Sequence, residues 1–123
     1  MIGYTTLGVT DMDRAKEYYT GLFADQGAKV VTDLGRIAFI GTERGKPMLA
    51  VCTPYDGEAP TPGNGVMIAF PTSTKEEAEA LYHKAIELGG TSEGKPGQRI
   101  PDRFYGGYVR DPDGNKLCFF VFG

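Results

Sequence analysis

Apolar and small or polar positions alternate along the opening segment IGYTTLGV. Leu7 and Val9 fall on one side and Tyr4, Thr6 and Gly8 on the other, which predicts a half-buried strand. The period then changes. In TDMDRAKEYYTGLF, Ala15, Tyr18, Tyr19 and Leu22 recur at three- and four-residue spacing behind Asp11, a residue suited to cap a helix N-terminus. Three short strand candidates follow, AKVVTD, RIAFIG and PMLAVC.

The second half repeats this plan. Sliding the chain along itself by 63 positions places Tyr4 on Met67, Leu7 on Phe70, Ala15 on Ala78, Tyr19 on Tyr82 and Gly27 on Gly90. VMIAFP reads as a strand that opposes Val66, Ile68 and Phe70 to Met67 and Ala69. STKEEAEALYHKAIELGG reads as a helix capped by Ser73 or Thr74, with Ala78, Leu81, Tyr82, Ala85 and Leu88 as its apolar stripe. Gly27 and the Gly89-Gly90 pair stop the two helices. Three strand candidates again follow: GTSEG with its continuation, FYGGYV, and KLCFFVF. The last two are joined by Asp-Pro-Asp-Gly-Asn, a hairpin signal in which proline fixes the entry and Gly114 and Asn115 accept positive φ.

The pattern predicts an α+β fold of two βαβββ modules in one domain. Module one spans 1–53, a proline-rich linker 54–64, and module two 65–123. The closing strand sorts Leu117, Phe119 and Val121 against Cys118, Phe120 and Phe122, apolar on both faces, so it is either buried on both sides or lines an apolar pocket. The faces bearing Thr6, Gly8 and Ala69 leave room beside a sheet.

Composition narrows the partners. The net charge is −3, and the 13 basic and 16 acidic residues are interleaved with no basic block, which argues against nucleic acid. No apolar run approaches the roughly 20 residues of a membrane helix, and the first residues lack a charged start followed by an apolar stretch, so neither membrane nor secretory signal is expected. The two cysteines, Cys52 and Cys118, lie in apolar strand candidates. They read as reduced core thiols of a cytoplasmic protein, with a Cys52–Cys118 bridge left open as the alternative.

Catalytic groupings are scarce. One histidine, His83, on the second helix builds no Ser-His-Asp set, and no glycine-rich loop leads from a strand into a helix to hold phosphate. Cys118 has only Lys116, two residues away on the same strand face, to depress its pKa, so an inert thiol is favoured. Polar groups expected at a cleft are Thr6, Arg36, Arg103, Tyr105 and Tyr108. Aromatic rings with a polar tip and a guanidinium suit an organic ligand bearing a carboxylate or phenol.

The opening YTTLGVTDMDRAKEYY, the second opening VMIAFP and the closing FYGGYVRDPDGNKL together resemble the vicinal oxygen chelate superfamily. Glyoxalase I, bleomycin-resistance proteins, fosfomycin-resistance enzymes and extradiol dioxygenases belong to it. The resemblance spans essentially the whole chain, and its most specific piece is the RDPDGN turn with its flanking strands. It implies modules that curl into a mixed sheet around a cleft with helices on the outer face, and it implies a homodimer.

Metal-dependent members carry His, Gln or Glu on the first strand, His on the fifth, Glu on the eighth, and in some branches a carboxylate on the fourth. The matching positions here are Tyr4, Met67, Cys118 and a position near Ala50, none of them a hard oxygen or imidazole donor. Met and Cys alone would suit Cu(I), which a phenol as the third donor does not support.

The resemblance and this donor set imply a metal-independent protein without cofactor, binding a small organic ligand through Tyr4, Thr6, Met67, Arg103, Tyr105, Tyr108, Cys118 and Phe120, by sequestration or by turnover. If it is an enzyme, the superfamily implies a lyase or isomerase. The rival readings are a glyoxalase-like or dioxygenase-like metalloenzyme with ligands relocated to Glu43, Glu58 or Asp102, and a non-catalytic dimeric interaction domain.

Overall fold

In the computed structural model, which describes residues 1–123, the chain divides into two units, Met1–Pro62 and Gly63–Gly123. The first runs β1 (Tyr4–Gly8), α1 (Met12–Leu22), β2 (Lys29–Asp33), β3 (Ile37–Gly41) and β4 (Met48–Cys52). The second runs β5 (Ile68–Pro71), α2 (Lys75–Glu87), β6 (Thr91–Ile100), β7 (Phe104–Arg110) and β8 (Lys116–Val121). This is the expected α+β architecture of two βαβββ modules. Each unit has its own four-stranded mixed sheet, ordered β1-β4-β3-β2 and β5-β8-β7-β6. In each sheet the first strand pairs in parallel with the last and the other pairings are antiparallel.

The helices form for the reasons their sequence offers, and they do so in matching ways. Asp11 caps α1, its carboxylate accepting from the Arg14 N–H at 3.0 Å. Thr74, 63 positions later, caps α2 by accepting from the Glu77 N–H at 3.1 Å. Glu77 in turn accepts from the Ser73 N–H at 2.9 Å. The residues buried by α1 are Ala15, Tyr18, Tyr19 and Leu22; those buried by α2 are Ala78, Leu81, Tyr82 and Ala85, the same four positions of the repeat. In the first unit they meet Leu7, Ala38, Ile40, Leu49 and Val51, which share one sheet face. In the second unit that role falls to Val109, Leu117 and Phe119, all fully buried.

Several details differ from the sequence reading. α1 ends at Leu22, and Gly27 closes a separate 3₁₀ turn, Ala24–Gln26: its N–H reaches the Ala24 carbonyl at 3.0 Å, and its φ of 81° turns the chain out of the helix. Leu88 follows the last turn of α2 and is largely exposed, while Gly89 at φ 119° donates to the Ile86 carbonyl at 3.0 Å and ends the helix as expected. Val66, Met67 and Phe122 fall outside β5 and β8 and are exposed.

The 111–115 turn is held by side chains as well as by backbone. Asp111, almost wholly buried, accepts through Oδ1 from the Asp113 and Asn115 N–H groups at 2.9 and 2.8 Å. Its Oδ2 accepts from the Asn115 side-chain amide at 3.0 Å. Only Gly114 takes a positive φ there, 90°; Asn115 does not, since its backbone already enters the β7–β8 ladder by way of the Asp111 N–H to Asn115 carbonyl bond. Both cysteines are free thiols.

Candidate functional site

Pairing across a ladder puts side chains of registered partners on one face. In the first unit Tyr4 is registered with Met48 and Thr6 with Ala50, which is in turn registered with Phe39. These residues therefore share the face turned away from α1. Tyr4 lies edge-on to Phe39, with ring centroids 4.9 Å apart, and leaves about half its surface exposed (52%). Thr6 is exposed and Ala50 is fully buried. Gly8 does not provide the room expected of it. A Cβ built there would come within 2.8 Å of Pro60 Cβ, so the space is taken by the proline-rich segment.

In the second unit Tyr108 is registered with Cys118, Gly106 with Phe120, and Cys118 with Ala69. Tyr108, Cys118 and Phe120 thus stand together on the face turned away from α2. Phe120 stacks on Phe104 with centroids 5.1 Å apart and an interplanar angle of 10°, and Phe122 meets both edge-on. Gly106 makes the stack feasible: a Cβ there would lie 3.1 Å from Phe104 Cε1 and 3.2 Å from Phe120 Cβ. Met67 leads into β5 one residue before Ile68.

Two candidates stand apart from this group. Tyr105 is three residues from Tyr108 on a regular strand, so it points to the opposite, helix-bearing face. Its hydroxyl donates to Glu79 on α2 and its ring lies under Lys75, with Nζ 5.3 Å from the centroid. The Glu79 carboxylate raises the Tyr105 pKa, with a smaller push from burial. Arg103 is exposed in the tight β6–β7 turn, where Asp102 has a φ of 60°. Arg36 donates to the Thr53 carbonyl at 2.8 Å and sits over the Tyr55 ring, tying β3 to the segment after β4.

Sequence reasoning missed Arg99 and underrated Lys116. The Arg99 guanidinium carbon lies 5.2 Å from the Tyr108 ring centroid, and Lys116 Nζ lies 5.3 Å from the same centroid. Gly94, registered with Tyr108, leaves the gap: a Cβ there would be 3.1 Å from Tyr108 Cδ2 and 3.2 Å from Arg99 Nη2. β6 shifts register three times between Ser92 and Ile100, which turns Arg99 back over the face in a way no alternation pattern announces.

The Cys118 thiol is pushed up to about 11. Burial is the main cause, partly opposed by the charges of Arg99 and Lys116. It is therefore a protonated thiol at neutral pH, not a thiolate nucleophile. Tyr4, Ala50, Met67 and Cys118 supply a phenol, a methyl group, a thioether and a neutral thiol where the resemblance calls for imidazole and carboxylate. This donor set does not fit a catalytic divalent ion. The relocated ligands do not assemble either. Glu43 pairs with Lys46 at 3.0 Å, Glu58 and Asp102 are exposed, and no three His, Cys, Asp or Glu side chains group so as to hold a metal.

His83 is exposed on α2 and lines an open pocket of about 500 Å³ with Glu79, Tyr82, Ile86, Ser92, Lys95 and Pro96, where the buried Tyr82 hydroxyl donates to Ser92 Oγ at 2.5 Å. This pocket lies on the helix side of the second sheet, away from Cys118. No helix in the chain is long and apolar enough to cross a membrane.

The sequence from residue 1 to 119 matches the model of the Glyoxalase/Bleomycin resistance protein/Dioxygenase superfamily. Among solved structures, a glyoxalase/bleomycin resistance protein from Albidiferax ferrireducens T118 is similar at 31% identity, with a TM-score of 0.86 and 98% of each chain covered. A glyoxalase/bleomycin resistance protein/dioxygenase family enzyme from Burkholderia phytofirmans PsJN is similar in fold at 20% identity and a TM-score of 0.80, over 97% of this chain and 96% of that one. Lactoylglutathione lyase from Agrobacterium tumefaciens gives 24% identity and a TM-score of 0.72, over 98% of this chain and 92% of that one. None of the functionally curated proteins matches the sequence.

Proposed function

Since the chain belongs to the Glyoxalase/Bleomycin resistance protein/Dioxygenase superfamily, we propose that it is a metal-independent member that binds a small organic molecule against the helix-free face of a sheet. The observation that carries this reading is the neutral, buried Cys118 thiol beside Tyr108. The superfamily's eighth-strand glutamate is replaced there by a group that neither coordinates a hard cation nor acts as a base. Tyr4 and Met67 at the other matched positions are large, exposed and apolar in character, which suits contact with an organic ligand rather than with an ion.

On this reading the chain's own residues do the work of recognition. Tyr4 and Phe39 offer an aromatic edge in the first unit. Tyr108 and Phe104 offer aromatic surface in the second, backed by the buried Phe120 and Cys118, with the exposed Ala69 beside them. Burial of ligand surface on such groups contributes about 25 cal/mol per Å². The protein works as a homodimer, for which light scattering on the eluting protein is the direct check.

Thermal unfolding in the presence of a library of aromatic and aliphatic small molecules tests the binding role. Hits that raise the midpoint by saturable binding in chelator-containing buffer, and that lose affinity in Tyr108→Ala or Phe120→Ala, are expected. A library whose hits all require added divalent metal contradicts it.

A further inference from the structure

Arg99 and Lys116 share one aromatic ring, and neither has a carboxylate partner. The Arg99 Nε donates to the Gly106 carbonyl at 3.2 Å and its Nη2 donates to the Lys95 carbonyl, so its hydrogen bonds go to backbone alone. Glu93, which feels Lys116 only as its smallest influence, is committed to Arg110 at 2.5 Å. Each cation lies slightly more than 5 Å from the Tyr108 centroid, so their charges lie within twice that distance of each other. Together they make an electropositive patch, which the electron-rich ring of one phenol offsets only in part. An anion arriving there meets two cations that no carboxylate of the chain pairs with.

The surroundings say what kind of anion. The guanidinium is fixed by two backbone carbonyls and by the gap at Gly94, so little side-chain freedom is lost when it binds. Beside it, on the same face, stand the exposed Ala69 and the partly exposed Phe104, which stacks on the buried Phe120. A fully hydrated inorganic ion gains nothing from those groups, whereas an organic acid places its carboxylate at the cations and its hydrocarbon against the apolar groups.

We propose that Arg99 and Lys116, set about the ring of Tyr108, form a subsite for the carboxylate of a small organic acid, whose apolar part lies against Ala69 and Phe104, the accessible apolar groups of that face. This rests on the binding role argued above and adds the charge and polarity of the ligand. Tyr108 is the scaffold of the subsite: its ring lies against both cations.

The test uses matched pairs of probes that differ only in charge: benzoate and benzamide, hexanoate and hexanamide, 2-naphthoate and 2-naphthamide. Each is titrated into the ¹⁵N-labelled full chain while the amides of Tyr108 and Cys118 are followed by NMR. The acids are expected to bind at least about tenfold more tightly than their amides. That advantage should fall with added salt and shrink in both Arg99→Gln and Lys116→Gln, with Arg44→Gln as the exposed control in the other unit. Both mutated side chains project from strands that backbone pairing already holds, so two independent variants guard against one that misfolds. Amides that bind as tightly as the acids, with no effect of either variant, overturn the anion subsite and leave the binding role standing. Probes of either kind that leave Tyr108 and Cys118 unmoved overturn both.

Discussion

Cys118 on β8 lies directly across the antiparallel ladder from Tyr108 on β7, with its thiol fully buried and Tyr108 partly exposed on the same face. That pairing puts a group that resists ionisation at the position where the superfamily's metal-dependent members carry an acid.

The elevated thiol pKa has a consequence for stability. As pH rises past about 9 the unfolded chain releases the Cys118 proton, while the folded chain keeps it until about 11. The unfolded state then binds fewer protons than the native one, so stability is intact below pH 9 and declines between pH 9 and 11. Urea unfolding midpoints followed across that window should fall more steeply for the wild-type protein than for Cys118→Ala. Parallel profiles for the two proteins would show that the thiol is not held neutral by burial.

Reactivity follows from the same burial. Cys52 is partly exposed and Cys118 is not. A disulfide reagent at neutral pH should titrate one thiol per native chain promptly, and the second only on unfolding. Prompt titration of both thiols, or survival of the fast phase in Cys52→Ala, would count against this placement.

The β7–β8 turn is predicted to depend on a single carboxylate. Asp111 satisfies two backbone N–H groups and one side-chain amide in a buried setting. Asp111→Ala leaves those donors unpaired and should cost about 2–3 kcal/mol, whereas Asp111→Asn keeps Oδ1 as acceptor and should cost less. Chemical denaturation measures both, and equal losses in the two variants would show that the acceptor geometry is not what matters.

Gly8 and Pro60 form a further testable pair. Adding a methyl group in Gly8→Ala drives a carbon to 2.8 Å from the rigid proline ring, which should cost about 1–3 kcal/mol. The cost should shrink when Pro60 is also replaced by glycine. A double-mutant cycle with a coupling near zero would place the Pro60 segment away from β1 in solution.

These pairs also show where the sequence spoke and where it was silent. The helices were legible because capping and a 3.6-residue stripe are local: Asp11 and Thr74, and the buried sets of α1 and α2, recur at one repeat distance. Strand alternation separated Leu117 from Cys118 in face, and it also carried the signal that Tyr105 and Tyr108, three apart, face opposite ways. Gly8 misled because its neighbour Pro60 comes from a segment with no periodicity. Arg99 was hidden because successive register shifts in β6 scramble the two-residue period that would have assigned its face. Its partner Lys116 was visible beside Cys118, but the meeting of both cations on one ring is a product of sheet register alone.

The most direct test of metal-independent binding is the metal content of the protein itself. The chain is purified without chelator, incubated in turn with Ni, Zn, Mn and Fe(II), desalted, and measured by inductively coupled plasma mass spectrometry against protein concentration. A set of Tyr4, Ala50, Met67 and Cys118, with neither imidazole nor carboxylate, predicts far less than one ion per chain for every metal. Retention of close to one ion per chain, released by substitution at Met67 or Cys118, would contradict it.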